Sequence, residues 1–290
     1  MKVSYYPGCS LHSTGIEYNI STQKICKTLG IDLIEIENWI CCGSSPTHQS
    51  DEILSIALPI KNIANSKKNN NINEICVPCA SCYSRLKFAQ EKIKDIEIQN
   101  KVEYIINSKD YHNVTVFHLL DVIIKKIGLD KIKTKVKKLL SKFKVASYYG
   151  CLLTRPPKIT EKVKYENPDD MESILGVLGV ENIDWNMKTY CCGASFALIQ
   201  PDVMLELTKR ILEDAVSAGA NAISVACPLC HFNLDSRQKK INKKYNTNFN
   251  IPIFYFSQLM GLSFGISPNR LGVFRHITKV KEYLFNKELL

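Results

Sequence analysis

The chain has no apolar run long enough to cross a bilayer and no apolar core of signal-peptide length behind its first residues, Met1-Lys2-Val3-Ser4-Tyr5-Tyr6-Pro7-Gly8-Cys9. Its most apolar stretch, residues 251–266, is broken by Pro252, Ser257, Gln258 and two glycines, and it falls short of the roughly 20 residues a spanning helix needs. No membrane span and a cytoplasmic location are therefore expected. The chain also lacks a Gly-x-Gly-x-x-Gly phosphate cradle, which argues against a nucleotide cofactor of its own. It lacks the Cys-x2-Cys-x2-Cys-x3-Cys-Pro run of small electron carriers; Cys76, Cys79 and Cys82 reproduce three of those positions with no Cys-Pro to follow. Acidic residues are in deficit, 28 against 38 lysines and arginines, which leaves a formal charge of +10. The lysines are spread widely along the chain. They read as solvated surface first, then as a docking face or a funnel for anionic ligands, and least as a nucleic-acid stripe.

What the chain does have is cysteine in a pattern written twice. Twelve cysteines in 290 residues are too sparse for a secreted disulfide scaffold, and their spacing suits metal ligation in a reducing compartment. The first copy runs Cys9, Cys41-Cys42-Gly43, Cys79-Ala80-Ser81-Cys82; the second runs Cys151, Cys191-Cys192-Gly193, Cys227-Pro228-Leu229-Cys230. Similar leaders, Tyr5-Tyr6-Pro7-Gly8 and Tyr148-Tyr149-Gly150, precede the first cysteine of each copy, and the order is the same throughout. This is an internal duplication. Five thiolates per copy exceed the four that one zinc or one simple cubane takes, so the count favours an iron–sulfur centre of unusual shape in each half. A zinc-stapled interaction protein is the rival from another class. Gly8, Gly43, Gly150 and Gly193 stand where the backbone must turn tightly around an inorganic core.

The remaining cysteines and the histidines carry weaker signals. Cys76 has no counterpart in the second copy and reads as a strand residue, while Cys26 lies in a helical pattern and reads as a core thiol. His12, His48 and His231 fall within six residues of a patterned cysteine, whereas His112, His118 and His276 do not. The former are candidates for a hydrogen bond to sulfur or for proton delivery, against a structural role. Arg155 and Lys158, just after Cys151, are candidate anchors for an anionic substrate, against a role as loop-anchoring or solvated cations.

Each cysteine group follows a short β-rich run and precedes a helix-like segment. Residues 3–6, 32–36, 74–77, 145–149 and 222–226 read as strands; 16–29, 51–64 and 203–218 carry apolar residues at helical spacing. Val116 to Asp121 aligns with Ile253 to Gln258 as a last strand entering a helix. The expected fold is α/β, two tandem pseudo-symmetric domains with mainly parallel sheets and the cysteines in loops at the strand carboxyl ends. The expected domains are residues 1–144 and 145–290. The segment 131–144, with seven lysines and apolar residues at helical spacing, reads as a basic amphipathic helix joining them.

At these residues the chain resembles the CCG-domain family, and its Gly150-Cys151-Leu152-Leu153-Thr154-Arg155-Pro156-Pro157 run resembles that of the B components of the heterodisulfide reductases of methanogenic archaea. The resemblance implies a non-cubane 4Fe–4S cluster on Cys9, Cys41, Cys42, Cys79 and Cys82, and a second on Cys151, Cys191, Cys192, Cys227 and Cys230. It further implies reductive cleavage of the mixed disulfide of coenzyme M and coenzyme B. Electrons would come from an iron–sulfur subunit, the C component of such a complex, with a flavin subunit, its A component, behind it. Beyond them a hydrogenase or formate dehydrogenase module would be the source. Arg155, Lys158, His12 and His231 are the side chains expected near the substrate. The rival within the resemblance is an electron-transfer subunit of a 2-hydroxyacid or glycerol-3-phosphate dehydrogenase complex.

Overall fold

The structure, a computed structural model, describes residues 1–44, 47–70 and 72–286, without the side chains of residues 48, 49, 69 and 70. In the first half, β1 (Lys2–Tyr5), β2 (Asp32–Glu35), β3 (Glu74–Val77) and β4 (Thr115–His118) form one sheet in the order β2-β1-β3-β4. In the second, β5 (Lys144–Tyr148), β6 (Glu181–Ile183), β7 (Ala222–Val225) and β8 (Ile253–Tyr255) repeat it as β6-β5-β7-β8. Every strand pair is parallel. The α/β duplication expected from the sequence is what the chain forms.

Burial follows from this layering. Central strands of a parallel sheet are covered on both faces, so Val3, Ser4 and Tyr5 of β1 are buried without alternation, as are all four residues of β7. The edge strands β2 and β6 stay partly exposed. The sequence of β6, Glu-Asn-Ile, carries no strand signal, and pairing with β5 alone makes it one. Between the strands of the first half lie α1 (Ile16–Leu29), α2 (Glu52–Asn70), α3 (Ala80–Lys92) and α4 (Ile96–Ile106). In the second half lie α5 (Asp170–Val177), α6 (Pro201–Ser217) and α7 (Pro228–Ser236), with α8 (Phe256–Ser263) after the last strand. Helix α6 buries Met204, Thr208, Ile211 and Ala215, one face at three- and four-residue spacing. Helix α1 stops at Gly30, whose φ of 77° is the left-handed cap that glycine takes without strain.

The segment 131–144 is not the helix expected. Only Leu129–Lys133 is helical, and the chain then runs as turns and irregular backbone to β5. Its amides are satisfied elsewhere: Lys137 and Lys138 donate to the Ser263 carbonyl at 2.8 and 3.0 Å, and Leu140 donates to Leu178 at 2.9 Å. The apolar residues do not share one face either, since Leu140 and Phe143 are buried while Leu139 is 62% exposed. The segment is a tie laid against the second half.

The halves are locked through their cores. Tyr18 of α1 stacks on Tyr255 at the end of β8 with centroids 4.1 Å apart, and Ser21 shares a 2.7 Å hydrogen bond with Ser257. On the other side Tyr83 donates to the Thr160 carbonyl at 3.1 Å, and Lys162 pairs with buried Asp121 at 2.9 Å. Removing the fully buried Tyr18 ring by Tyr18→Ala should cost roughly 3–5 kcal/mol, whereas Tyr104→Ala, at a ring 89% exposed, should stay within about 0.5 kcal/mol. Urea midpoints of the reduced chain measure both; equal midpoints would mean that the halves are not locked at this stack.

Candidate iron–sulfur site

In a sheet of order 2-1-3-4 the connections leave β1 and β3 in opposite directions, which opens a crevice beyond their carboxyl ends. Cys9 follows β1, Cys41 and Cys42 follow β2, and Cys79 and Cys82 follow β3. The second half repeats the placement with Cys151, Cys191, Cys192, Cys227 and Cys230 after β5, β6 and β7. The topology therefore gathers each five-cysteine set at its own crevice. In the first set the Cys42 and Cys82 sulfurs are 3.3 Å apart; in the second those of Cys192 and Cys230 are 3.6 Å apart.

Local structure fixes each sulfur. Cys79 and Cys227 are extended residues immediately before α3 and α7, so each CxxC occupies a helix start, where free amides face the thiols. The strand-end tyrosines clamp the Cys-Cys pairs: Tyr6 donates to the Ile40 carbonyl at 2.8 Å and Tyr148 to the Tyr190 carbonyl at 2.7 Å. Amides of Gly43 and Gly193 point at the sulfurs of Cys41 and Cys191, at 3.5 and 3.3 Å, and the Asn233 amide points at Cys192 sulfur at 3.7 Å. Gly8 and Gly150 pass so close to the CxxC that an added Cβ would stand 3.0 Å from the Cys82 or Cys230 sulfur.

The donors are all thiols, the ligands that soft metals and iron–sulfur cores take, and among the described residues they are not drawn together as a ready site for a single metal ion. The thiols crowd one another: a hydrogen bond to Cys42 raises the pKa of Cys41, contacts with Cys42 and Cys79 raise Cys82, and contact with Cys191 raises Cys151. Protons shared from neighbours pull Cys42 and Cys227 well down, and the Cys151 thiol pulls Cys191 down to about 6. Thiols crowded in this way ionise together only against positive charge, and N–H groups aimed at sulfur are of the kind that tunes iron–sulfur centres. Cys26 and Cys76 stand apart, fully buried in the core, with burial pushing Cys26 up to about 12.

Between the halves opens a cleft of about 280 Å³. All five cysteines of the second set reach its wall, while the first half contributes Ser44, Ser81, Ser84, Arg85 and Phe88 from the Cys-Cys loop and α3. The cleft is thus shared by both halves but lined by the thiols of one. Arg85 lies over the Phe88 ring at 5.7 Å, and among the described residues no carboxylate is within ion-pair distance of it. Partial burial lowers its pKa, and the nearby Cys42 opposes that.

The side chains expected near the substrate do not line this cleft. Arg155 is exposed and bonds Thr189 at 3.2 Å; Lys158 is exposed. His12 pairs with Glu35 at 3.1 Å and abuts Trp39. His231 is buried, bonds the Ile253 carbonyl at 3.1 Å and stacks on Tyr255. The His48 side chain lies outside the described residues. Arg85 and the serines carried no signal in sequence, because what turns α3 towards the cleft is its packing between the halves. His118, remote from any cysteine in sequence, is at the junction of the two sets.

Two copies of one parallel α/β unit, each bringing its patterned cysteines to a strand-end crevice, define a duplicated cysteine-rich protein. The chain belongs to the CCG cysteine-rich domain family, which it matches over residues 3–87 and 145–235. It is 30% identical, over 93% of its length and 94% of the relative's, to the 8-methylmenaquinol:fumarate reductase membrane anchor subunit of Wolinella succinogenes. It is 29% identical, over 98% and 96%, to the B component of the ferredoxin:CoB-CoM heterodisulfide reductase of Methanosarcina mazei. A crystal structure of a hypothetical protein from Helicobacter pylori shares the fold with a TM-score of 0.72 at 13% identity; the match covers 96% of this chain and 52% of that one. The relatives from Wolinella and Methanosarcina are parts of oxidoreductases.

The fit of glycine against sulfur is directly testable. Gly150→Ala, at φ 68° with its Cβ 3.0 Å from Cys230 sulfur, should lose more stability than Gly30→Ala, at φ 77° with nothing nearer than the Lys131 ammonium at 3.9 Å. Left-handed strain of about 1–2 kcal/mol is common to both. Equal losses in urea would show that the thiol does not press on Gly150.

Proposed function

We propose that the chain is the disulfide-reducing subunit of a heterodisulfide reductase, holding one iron–sulfur centre on Cys9, Cys41, Cys42, Cys79 and Cys82 and another on Cys151, Cys191, Cys192, Cys227 and Cys230. What supports this reading is the cleft between the halves, whose wall carries all five thiols of the second set, together with the contact of Cys79 in the first set with Cys227 in the second across the junction. Five protein sulfurs per set exceed a simple cubane and favour the non-cubane 4Fe–4S form. Such centres supply electrons and an electrophilic anchor for the sulfurs of a disulfide. We place the division between the halves at 144/145, within one residue of the start of β5 at Lys144.

The chain's own residues would bind and orient. Arg85 offers a guanidinium fork to a sulfonate, carboxylate or phosphate on the substrate, and Phe88, Leu152 and Leu229 cover an aliphatic arm. The hydroxyls of Ser44, Ser81 and Ser84 line the same wall. Among the described residues the hydroxyl-bearing side chains that line the cleft are Ser44, Ser81, Ser84, Ser195 and Tyr149. With no nucleotide fingerprint, electrons would come from partner proteins in a reducing, cytoplasmic setting.

The Wolinella relative, named a membrane anchor subunit of a fumarate reductase, favours a second reading in which the chain serves a reductase complex as an electron-transfer subunit without acting on a disulfide. Among the described residues no helix is long and apolar enough to cross a membrane. Turnover separates the readings. Iron-loaded protein with an artificial donor should reduce an anionic mixed disulfide such as that of coenzyme M and coenzyme B, and Arg85→Gln should raise KM about tenfold or more. That corresponds to a lost charge-assisted hydrogen bond of roughly 1.5–3 kcal/mol. Arg155→Gln and Lys158→Gln should leave KM unchanged. Absence of disulfide reduction by iron-loaded protein would move the assignment to electron transfer.

A further inference from the structure

His118 ends β4 with no solvent exposure. The amide of Leu120 donates to its Nδ1 at 3.2 Å, so the ring proton resides on Nε2. That one N–H faces two carbonyl oxygens, Pro78 at 2.7 Å and Ala226 at 3.1 Å. Pro78 immediately precedes Cys79 in the first half, and Ala226 immediately precedes Cys227 in the second. The thiols of Cys79 and Cys227 themselves meet across the junction. A single imidazole is thus hydrogen-bonded to the last residue before the CxxC of both sets.

The duplication makes this bond stand out. Strand register sets His118 opposite Val77 and Tyr255 opposite Val225, so the two are counterparts. Tyr83 after Cys82 and His231 after Cys230 are counterparts as well, which means that histidine and tyrosine are exchanged between the halves. His231 spends its Nε2 on Ile253 within its own half, and the Tyr255 hydroxyl reaches Glu17 at 3.4 Å. Of the four exchanged positions, only His118 bonds to the residues that lead into the CxxC of both halves.

We propose that His118 is a positioning residue that sets the separation of the two cysteine sets, and so the electronic contact between the centres they hold. The inference rests on the iron–sulfur reading given above. Electron delivery to a two-electron reduction in a shared cleft needs both centres at a fixed distance, and a hydrogen bond bridging the two loops imposes one.

Two substitutions separate this role from simple helix capping. In His118→Asn the amide oxygen can still accept from Leu120, but the side chain is too short to reach Pro78 and Ala226. In His118→Gln the amide nitrogen reaches the position of Nε2 and can donate to both carbonyls. The readout is the magnetic interaction between the two reduced centres in paramagnetic resonance spectra, together with iron content, in the full chain. His118→Asn should lose splitting from that interaction, or lose iron from both sets together, and His118→Gln should restore the wild-type state. Unchanged splitting in His118→Asn, iron loss confined to the first set, or an iron-loaded wild type without any interaction between centres would overturn the proposal. Wild-type protein without iron would instead refute the iron–sulfur reading on which it rests.

Discussion

The constraint on which the rest of the structure depends is electrostatic: the patterned thiols of each half crowd at the end of a parallel sheet, with the Cys42 and Cys82 sulfurs 3.3 Å apart and those of Cys192 and Cys230 3.6 Å apart, and they cannot all ionise without a cation among them. Their mutual contacts push Cys41, Cys82 and Cys151 up while forcing Cys42 and Cys191 down. The fold contributes what such a set requires. Parallel strands deliver three loops to one crevice, tyrosine hydroxyls clamp the Cys-Cys loops, and glycines allow the backbone to run against sulfur.

Duplication then sets two such crevices against each other, and the symmetry is broken where it bears on chemistry. The cleft is walled by the second set's thiols on one side and by Arg85, Phe88 and three serines of the first half on the other. The counterpart of Arg85 in the second half is Asn233, three residues after Cys230, and it bonds to the carbonyl and sulfur of Cys192 instead of facing a cavity. The exchange of histidine and tyrosine at 118 and 255 has the same character. Equivalent positions have been given unequal tasks: one side of the junction holds the loops together and the other packs the core through the Tyr18–Tyr255 stack.

Much of this was legible in the chain. The cysteine spacing, repeated in order, announced the duplication, and alternating strand and helix patterns gave a parallel α/β fold because both signals are local. Elements failed to be legible where tertiary partners decide. Strand β6 has no β-forming composition and exists through pairing with β5; the lysine-rich tie has helical spacing, but its amides find Ser263 and Leu178. Arg155 and Lys158 were attractive because they follow Cys151, yet closeness in sequence to a ligand does not aim a side chain at the cleft. Arg85 and His118 were missed for the converse reason: α3 is turned inward by inter-half packing, and β4 is brought beside β3 by parallel pairing across about 40 residues.

The central claim is that each half holds its own iron–sulfur centre on its own five cysteines. Iron and acid-labile sulfide in anaerobically purified Cys42→Ala and Cys192→Ala proteins test it most directly. Each variant should lose or convert one centre and keep the other, with spectra that differ between the two variants and add up to the wild type. Wild-type iron and sulfide in both variants, or zinc without sulfide in the parent protein, would contradict it.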